Sequence, residues 1–313
     1  MKTVCIGILI FISLHVMGQS DTAVTYEQFC DQQRSLLVDN VDIKYIDEGE
    51  GPVILLIHGV PTSGWLYRKI FPRLVENGFR VIVPDMMGFG QSLSSDTDII
   101  PDIAAQGRVI ESLCRELDLK SVYLAVHDAG GPFAWSWLIH SRVDIKALFL
   151  FNTILYLEGF KPPINMKKGS LGFKMIRWAY TTPWIGKMIV MSTLNKGTEK
   201  HKLSKKDKEG YLKPIEKGAG DAIMNFLGSF DQLTGLCKSA KIELKVRNTP
   251  ICAIWGENDP FLIGHEQLPR AMDQLNLKNE NTHILGGSGH FIQEDAPNDI
   301  VDLIIRFTDT SDD

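Results

Sequence analysis

Residues 121–140 read SVYLAVHDAGGPFAWSWLIH, and this stretch indicates the fold. Ser121 to Val126 form a short apolar run rich in β-branched and aromatic residues, which is typical of a buried strand, and an apolar helix is predicted from Gly130 onward. Between them a sharp turn carries Asp128. The small residues that follow Asp128 allow the helix to pass close to the strand. Taken alone, the same turn also fits an ordinary aspartate that caps the next helix.

If Asp128 is the catalytic nucleophile at this turn, a carboxylate in that role limits which reactions the protein could catalyse. A serine that attacks a saturated carbon ends as an ether, which a histidine-activated water cannot cleave. An aspartate that attacks the same carbon ends as an ester, which water can cleave. The turn therefore predicts displacement at an sp3 carbon through a covalent alkyl-ester intermediate.

Two further apolar runs predict buried strands that end in turn residues, PVILLI at 52–57 and FRVIV at 79–83. The first is followed by His58, Gly59, Val60 and Pro61. The backbone N–H of Val60 is thereby placed to face the same crevice as the N–H of Ala129, and two such donors make an oxyanion hole. We interpret His58 as a residue that braces this loop by hydrogen bonding rather than as a ligand.

Two later runs each deliver one titratable group. ICAIW at 251–255 leads to Asp259, and THIL at 282–285 leads to His290. The carboxyl ends of parallel strands border the crevice where open α/β sheets bind ligands. Considered singly, Asp259 is a turn former and His290 a helix-start residue. The chain order Asp128, Asp259, His290 is nevertheless the order nucleophile, acid, base of a hydrolase triad.

These motifs resemble the α/β-hydrolase superfamily, and within it the haloalkane dehalogenases and epoxide hydrolases that use an aspartate nucleophile. The resemblance rests on HGVPTSGWLYRK at 58–69, RVIVPDMMGFGQS at 80–92 and GSGHFIQEDAP at 287–297. The first block is more similar to a haloalkane dehalogenase. The resemblance implies an α/β fold with a mostly parallel eight-stranded sheet covered by helices, and an inserted helical cap. It also implies that Asp259 is the acid, because Asn152 stands where related enzymes carry an acid after the sixth strand.

The leaving-group residues depart from the family pattern. Haloalkane dehalogenases usually hold the halide with a tryptophan directly after the nucleophile, where this chain has Ala129, and many add an asparagine at the position of Val60. A halide that leaves into an apolar pocket needs N–H donors. The segment RWAYTTP resembles a cap segment that supplies such a donor from Trp178, although an aromatic packed in a cap helix is the more ordinary interpretation. Epoxide hydrolases protonate the leaving oxygen with cap tyrosines, for which the candidates are Tyr156, Tyr180 and Tyr211.

Composition and the N-terminus limit the other functions. The 313 residues are 44% hydrophobic and carry a formal net charge of −5, which suits a covered sheet plus a small lobe and gives no sign of a nucleic-acid partner. Residues 1–18 predict a signal peptide and an exported, periplasmic or secreted protein, with an uncleaved anchor as the alternative. After removal of that segment we expect no stable membrane insertion. No group of Cys, His and carboxylates has metal-ligand spacing, and we expect no cofactor.

Four cysteines follow the predicted signal peptide. Cys114 lies in a predicted helix and Cys252 in a predicted strand, and we interpret both as small core residues. The spacing of the four forms no disulfide framework, and it leaves open whether Cys30 and Cys237 pair.

The predicted elements divide the chain into four parts. RSLLVD at 34–39 and VDIKYIDE at 41–48 predict an antiparallel hairpin with Asn40 at its turn, after which strands alternate with helices up to Asn152. No strand-like run follows until about 236. The parts are a signal peptide at 1–18, the core at 19–152, a helical cap at 153–236 and the rest of the core at 237–313. Apolar cap residues that could line the lid, and that suggest an apolar substrate, are Phe173, Ile176, Trp178, Trp184 and Phe226.

The sequence thus predicts an α/β hydrolase that is most similar to a haloalkane dehalogenase and that uses water to cleave a carbon–halogen bond in a small apolar molecule. Asp128 attacks the carbon, His290 activates the water, and Asp259 orients His290 and balances its charge. An epoxide hydrolase is the alternative enzyme. A non-catalytic binding protein is disfavoured by the complete triad but kept open by Ala129 and Val60. The oligomeric state is also left open.

Overall fold

The computed structural model describes residues 24–93, 101–161, 167–200, 202–275 and 277–311, so the predicted signal peptide at 1–18 lies outside the described residues. One eight-stranded sheet has the order β1-β2-β4-β3-β5-β6-β7-β8. Its strands are β1 Arg34–Val38, β2 Val41–Glu48, β3 Val53–Ile57, β4 Arg80–Pro84, β5 Ser121–Asp128, β6 Asp144–Thr153, β7 Ile251–Gly256 and β8 Thr282–Leu285.

Helices cover both faces of the sheet. They are α1 Tyr26–Asp31, α2 Phe71–Glu76, α3 Ile103–Glu116, α4 Gly130–Leu138, α5 Leu171–Thr181, α6 Pro183–Gly197, α7 Lys205–Glu216, α8 Gly220–Leu227, α9 Phe230–Arg247, α10 Gly264–Leu275, α11 Ile292–Asp295 and α12 Pro297–Ser311, with 3₁₀ turns at Gly64–Tyr67 and Asn279–Asn281. Across the ranges that the structure describes, none of these helices combines the length and the apolar character needed to cross a membrane.

The opening hairpin is antiparallel, as its sequence predicts. β1 pairs with β2 and β2 pairs with β4 in antiparallel fashion, while the other neighbouring strands run parallel. Asp39 and Asn40 close the hairpin with φ of 48° and 63°, a conformation that Asn and Asp tolerate better than other side chains. The predicted mostly parallel eight-stranded sheet is therefore confirmed.

The four central strands position the site. Ile54, Leu55, Leu56 and Ile57 of β3 are 0% exposed, because helices cover the sheet on both sides. Burying one such side chain contributes roughly 1.5–3 kcal/mol to stability. Since β3, β5, β6 and β7 are parallel neighbours, their carboxyl ends lie at one edge of the sheet, where the residues named above converge.

Helices α5 to α8, called the inserted helices below, lie in the chain between β6 and β7. The predicted boundary at 236/237 is wrong, because it falls in the middle of α9. The buried residues of α9 are Leu233, Cys237, Ala240 and Leu244, a helical spacing that continues through the boundary. α9 packs against α4 and α10 of the core, so the core resumes within this helix rather than at residue 237.

All four described cysteines are free thiols, so Cys30 and Cys237 do not pair. Cys114 and Cys252 are buried, which confirms their interpretation as core residues. Cys237 is buried in α9 with its Sγ 3.9 Å from the carbonyl oxygen of Ile154, while Cys30 is half-buried at the end of α1.

Candidate active site

Asp128 lies at the tip of a strained turn between β5 and α4. Its φ is +51°, a left-handed conformation that costs a non-glycine residue roughly 1–2 kcal/mol. The following glycines permit the close approach that the sequence predicts, because a Cβ on Gly130 would lie 2.4 Å from the carbonyl oxygen of Ile57 and one on Gly131 would lie 2.4 Å from Oγ1 of Thr153. No side chain caps the N-terminus of α4. The alternative of an ordinary helix-capping aspartate is therefore wrong.

The carboxylate of Asp128 occupies the predicted oxyanion hole. Its Oδ1 accepts a 2.9 Å hydrogen bond from the N–H of Val60, and the backbone of Ala129 beside it also stabilises the negative charge. Burial raises the pKa of Asp128 above 3.8, while the charge of His290 and these two backbone groups limit the rise. One oxygen is thus held by backbone, and the other remains available to the pocket.

His290 bridges the two carboxylates. Its Nδ1 lies 2.8 Å from Oδ2 of Asp259, and its Nε2 lies 3.6 Å from Oδ2 of Asp128. Burial opposes a charge on His290, but Asp259, through its charge and its hydrogen bond, and then Asp128 raise the pKa above 6.5. The structure therefore brings the three predicted triad residues together in one buried cluster.

Asp259 is fixed by four hydrogen-bond donors. Its Oδ1 accepts from the N–H groups of Phe261 at 2.8 Å and Leu262 at 3.0 Å, while Oδ2 accepts from His290 and from the side-chain amide of Asn152 at 2.6 Å. Sequence reasoning gave Asn152 no role. The sequence feature that could have indicated a role is the position of Asn152 near the end of β6. Because β6 is next to β7 in the sheet, the side-chain amide of Asn152 reaches Asp259, which follows β7.

Two more histidines support the site without facing the pocket. His58 Nδ1 donates to the carbonyl of Gly59 at 2.9 Å and its Nε2 accepts from the N–H of Met86 at 2.9 Å, which confirms that it braces the loop. Burial lowers the pKa of His58 to about 4. His127, which sequence reasoning missed, donates from Nε2 to the carbonyl of His290 at 3.1 Å, and burial lowers its pKa well below 6.5. A neutral His127 places no charge beside His290.

A pocket opens beside Asp128 and His290, which both belong to its lining. Its wall is mainly apolar and consists of Val60, Pro61, Phe160, Tyr180, Thr193, Ile223, Phe226, Leu227, Phe261 and Phe291. In the described ranges, no group of His, Cys, Asp and Glu side chains is arranged to hold a metal ion.

The candidate halide donor Trp178 does not reach this pocket. Its side chain is 64% exposed on α5, so that prediction is wrong. Trp184 on α6 is also exposed, and among the apolar residues predicted to line the lid only Phe226 does so. Two positions along a helix turn the side chain by about 200°, so the same helix sends Trp178 to solvent and Tyr180 to the pocket.

The three candidate tyrosines have different partners. Tyr156 donates to the carbonyl of Arg270 at 3.0 Å, and Tyr211 donates to the buried carboxylate of Glu294, so neither belongs to the pocket wall. Tyr180 lines the pocket, and burial raises its pKa to about 12. Within the described part of the chain, no partner for its hydroxyl is found. Of the three candidate tyrosines, Tyr180 is therefore the one that lines the pocket.

Comparison with known proteins agrees with this geometry. A family model described as the alpha/beta hydrolase fold matches residues 52–197. The chain is 27% identical over 287 residues to a haloalkane dehalogenase of Psychrobacter cryohalolentis, covering 87% of this chain and 90% of that protein. It is 26% identical over 280 residues to a cis-3-alkyl-4-alkyloxetan-2-one decarboxylase of Shewanella oneidensis, covering 85% and 84%.

Solved structures show the same fold. A haloalkane dehalogenase from Bradyrhizobium elkani superposes with a TM-score of 0.70 at 20% identity, covering 90% of this chain and 98% of that one. A lipase-like protein from Acinetobacter baumannii superposes with a TM-score of 0.71 at 19% identity, covering 94% and 99%. At this identity the likeness concerns the architecture, and the chemistry has to be argued from the residues of the site.

Proposed function

We propose that this chain, an α/β-fold hydrolase of the group that contains the haloalkane dehalogenases, cleaves a bond at an sp3 carbon through a covalent ester on Asp128. One observation carries the proposal: Oδ1 of Asp128 is held by the N–H of Val60, while Oδ2 faces His290 at the floor of an apolar pocket. In this position Oδ2 is free to attack the substrate carbon, while the charge on Oδ1 is stabilised by the backbone N–H.

In the first step, Oδ2 of Asp128 attacks the carbon and the leaving group departs with the bonding electron pair. The carboxylate is desolvated by burial, which makes it a stronger nucleophile than it is in water. The apolar wall, including Phe226 and Phe261, excludes bulk water and holds a small apolar substrate. The product of this step is an alkyl ester of Asp128.

In the second step, Nε2 of His290 takes a proton from water, and the resulting hydroxide adds to Cγ of the ester. Negative charge then develops on Oδ1, to which the N–H of Val60 already donates, and the N–H of Ala129 is the second predicted donor of this oxyanion hole. Collapse expels the alcohol, which takes the proton held by His290. Asp128 keeps one oxygen of the water, and its carboxyl group releases the second proton of that water to solvent, which restores the carboxylate. Asp259 orients His290 and balances its transient charge.

The names of the relatives favour a halide as the leaving group, whereas the pocket contains none of the side-chain N–H donors expected for one. Ala129 and Val60 occupy the two donor positions and Trp178 points to solvent. The hydroxyl of Tyr180 favours the second candidate, an epoxide, because an alkoxide needs a proton on departure and a phenol supplies it. A haloalkane dehalogenase and an epoxide hydrolase share the ester step.

The test uses a His290→Gln variant, in which the ester should form and not be hydrolysed. The variant is exposed to bromoalkanes, alkyl epoxides and dialkyl oxetan-2-ones, and the intact mass and the peptide that contains Asp128 are measured by mass spectrometry. We expect an adduct from one class. A double variant that also carries Asp128→Asn is the control and should remain unmodified.

An adduct elsewhere, or substrate turnover by the wild type with no adduct on the variant, would replace the covalent mechanism with direct attack by water. Single turnover of the wild type in ¹⁸O-water gives an independent answer, because ester hydrolysis at Cγ places heavy oxygen in Asp128. Absence of both binding and turnover for every class would favour the non-catalytic alternative.

A further inference from the structure

The outer side of α5 and α6 carries an unusual concentration of exposed apolar residues. Across the described ranges nine large hydrophobic side chains are exposed, and five of them lie on these two helices. They are 63–75% exposed, and we call them the outer apolar face: Leu171, Met175, Trp178, Trp184 and Met188. Exposed large apolar side chains concentrated in this way on a folded protein indicate an interaction site.

The spacing shows that the face is a property of both helices. Leu171, Met175 and Trp178 are separated by four and three residues on α5, and Trp184 and Met188 by four on α6, so each set forms one stripe. The opposite sides of the same helices carry Tyr180 and Thr193, which line the pocket. The outer apolar face therefore lies on the other side of the roof of the pocket.

The charged residues of the chain segment that carries this face are all basic. From 159 to 198 the chain contains no Asp or Glu, although the whole protein is net acidic at −5. The same segment has seven basic residues, which are Lys161, Lys167, Lys168, Lys174, Arg177, Lys187 and Lys196. Arg177 pairs with Asp221 and Lys187 with Glu216 on neighbouring helices. For Lys168 and Lys174, no ion pair occurs among the residues that the structure covers.

We propose that the outer apolar face docks on the surface of an anionic lipid bilayer. Tryptophan side chains favour the boundary between headgroups and acyl chains, and lysines beside them keep their ammonium groups at the phosphates while their stems lie along apolar surface. Anionic headgroups complement the basic rim. Docking places the roof of the pocket against the phase in which an apolar substrate concentrates. The proposal concerns a surface and does not depend on the leaving group.

A second copy of the chain fits this face less well. A twofold dimer brings the same patch of both subunits together, so the unpaired lysines of one copy would meet those of the other. Like charges in an interface are destabilising. A bilayer supplies the opposite charge and demands no complementary shape.

The tryptophans themselves report the docking in the full-length protein. Trp65, Trp135, Trp137 and Trp255 are buried, so an aqueous quencher such as acrylamide reaches only Trp178 and Trp184. Vesicles that contain phosphatidylglycerol should protect these two from acrylamide and should allow quenching by brominated acyl chains. Vesicles of phosphatidylcholine alone should protect them far less, and about 0.5 M salt should release the protein from the anionic vesicles.

Acrylamide quenching also distinguishes docking through the outer apolar face from attachment through the apolar N-terminal segment. Attachment through 1–18 alone would sediment the protein with vesicles and leave Trp178 and Trp184 open to acrylamide, which would overturn the proposal. Protection that depends on protein concentration in the absence of lipid would overturn it in favour of a second copy. Equal protection by neutral and anionic vesicles would overturn the electrostatic part.

Matched variants test the residues. Trp184→Ser with Met188→Ser should weaken partition into anionic vesicles by about tenfold or more, because exposed apolar area is lost. Ile242→Ser with Val246→Ser removes another exposed pair four residues apart, on α9, and should leave partition unchanged. Lys174→Glu should weaken it and Lys245→Glu on α9 should not. Equal effects in test and control variants would contradict the proposal, and the urea midpoint of each variant verifies that it is folded.

Discussion

The side-chain amide of Asn152 donates a 2.6 Å hydrogen bond to Oδ2 of Asp259. The same oxygen accepts from Nδ1 of His290, and Oδ1 of Asn152 in turn accepts from the N–H of Gly256 at 3.1 Å. Asn152 is thus anchored to β7 on one side and to the acid on the other. Its amide restricts where the carboxylate can point, and the orientation of His290 follows.

Replacing the acid should stop the reaction without unfolding the protein. Asp259→Asn removes the charge that balances His290, and we expect turnover to fall by about 10⁴-fold, as for the corresponding change in a serine-protease triad. Steady-state kinetics with the substrate found in the adduct experiment measures it. Adding Asn152→Asp should restore part of the loss, because it returns a carboxylate next to the histidine. Nearly full activity of Asp259→Asn would show that another group serves as the acid.

The pKa of His290 should depend on the charge of Asp128. Burial lowers this pKa, but Asp259 and then Asp128 raise it above 6.5. Asp128→Asn removes one raising charge, so the pKa should fall, and NMR titration of the His290 ring measures the change. The alkyl ester is equally uncharged, so formation of the ester should make His290 a neutral base at lower pH. A pKa that stays the same or rises in Asp128→Asn would contradict this coupling.

The proximity of the three predicted triad residues could be inferred from the sequence because each follows a short strand run, and strand ends are local patterns. Asp128, Asp259 and His290 needed only the rule that parallel strands end at one edge. The residues that line the pocket could not be predicted in this way. Whether Trp178 or Tyr180 faces inward depends on the side on which α5 packs, and both sides of that helix carry aromatic residues. The exposed stripe of α5 is as apolar as a stripe that faces a core, so the hydrophobic periodicity of the sequence does not show which side of the helix is buried.

Contacts between residues that are far apart in the sequence also could not be predicted. Arg68 and Glu294 are 226 residues apart in sequence and form a buried pair, with hydrogen bonds of 2.5 and 3.0 Å. Arg68 also binds Asp207 on α7, and Tyr211 on the same helix donates to Glu294. This network attaches an inserted helix to the segment that follows His290. No pattern within either segment indicates the other.

Breaking that network should destabilise the fold. Arg68→Met leaves Glu294 buried with only Lys69 as a charged partner, and loss of one member of a buried pair costs about 3–5 kcal/mol. Urea unfolding followed by circular dichroism measures the change. Arg73→Met, which removes an exposed ion pair with Asp302, should cost below about 1 kcal/mol. Arg68→Met with Glu294→Met should lose less than Arg68→Met alone, and a larger loss would contradict the role of the unpaired charge.

The leaving group can be assigned by substituting two aromatic residues of α5, each in a separate variant. Tyr180→Phe keeps the ring in the pocket wall and removes only the hydroxyl, whereas Trp178→Phe changes a side chain on the outer side. If the substrate is an epoxide, Tyr180→Phe should lower the rate of ester formation by about 10²-fold or more, because general acid catalysis typically contributes 10²–10⁴.

Trp178→Phe should leave that rate unchanged for either substrate class, since the indole does not reach the pocket. Rapid-quench mass spectrometry of ester formation in the His290→Gln background isolates this step from ester hydrolysis. Tyr156→Phe is the control for loss of a buried phenol outside the pocket. For a halide, which leaves without a proton, Tyr180→Phe should have only a small effect on bromide release. A large effect of Trp178→Phe on ester formation would mean that α5 turns its other side to the pocket during the reaction.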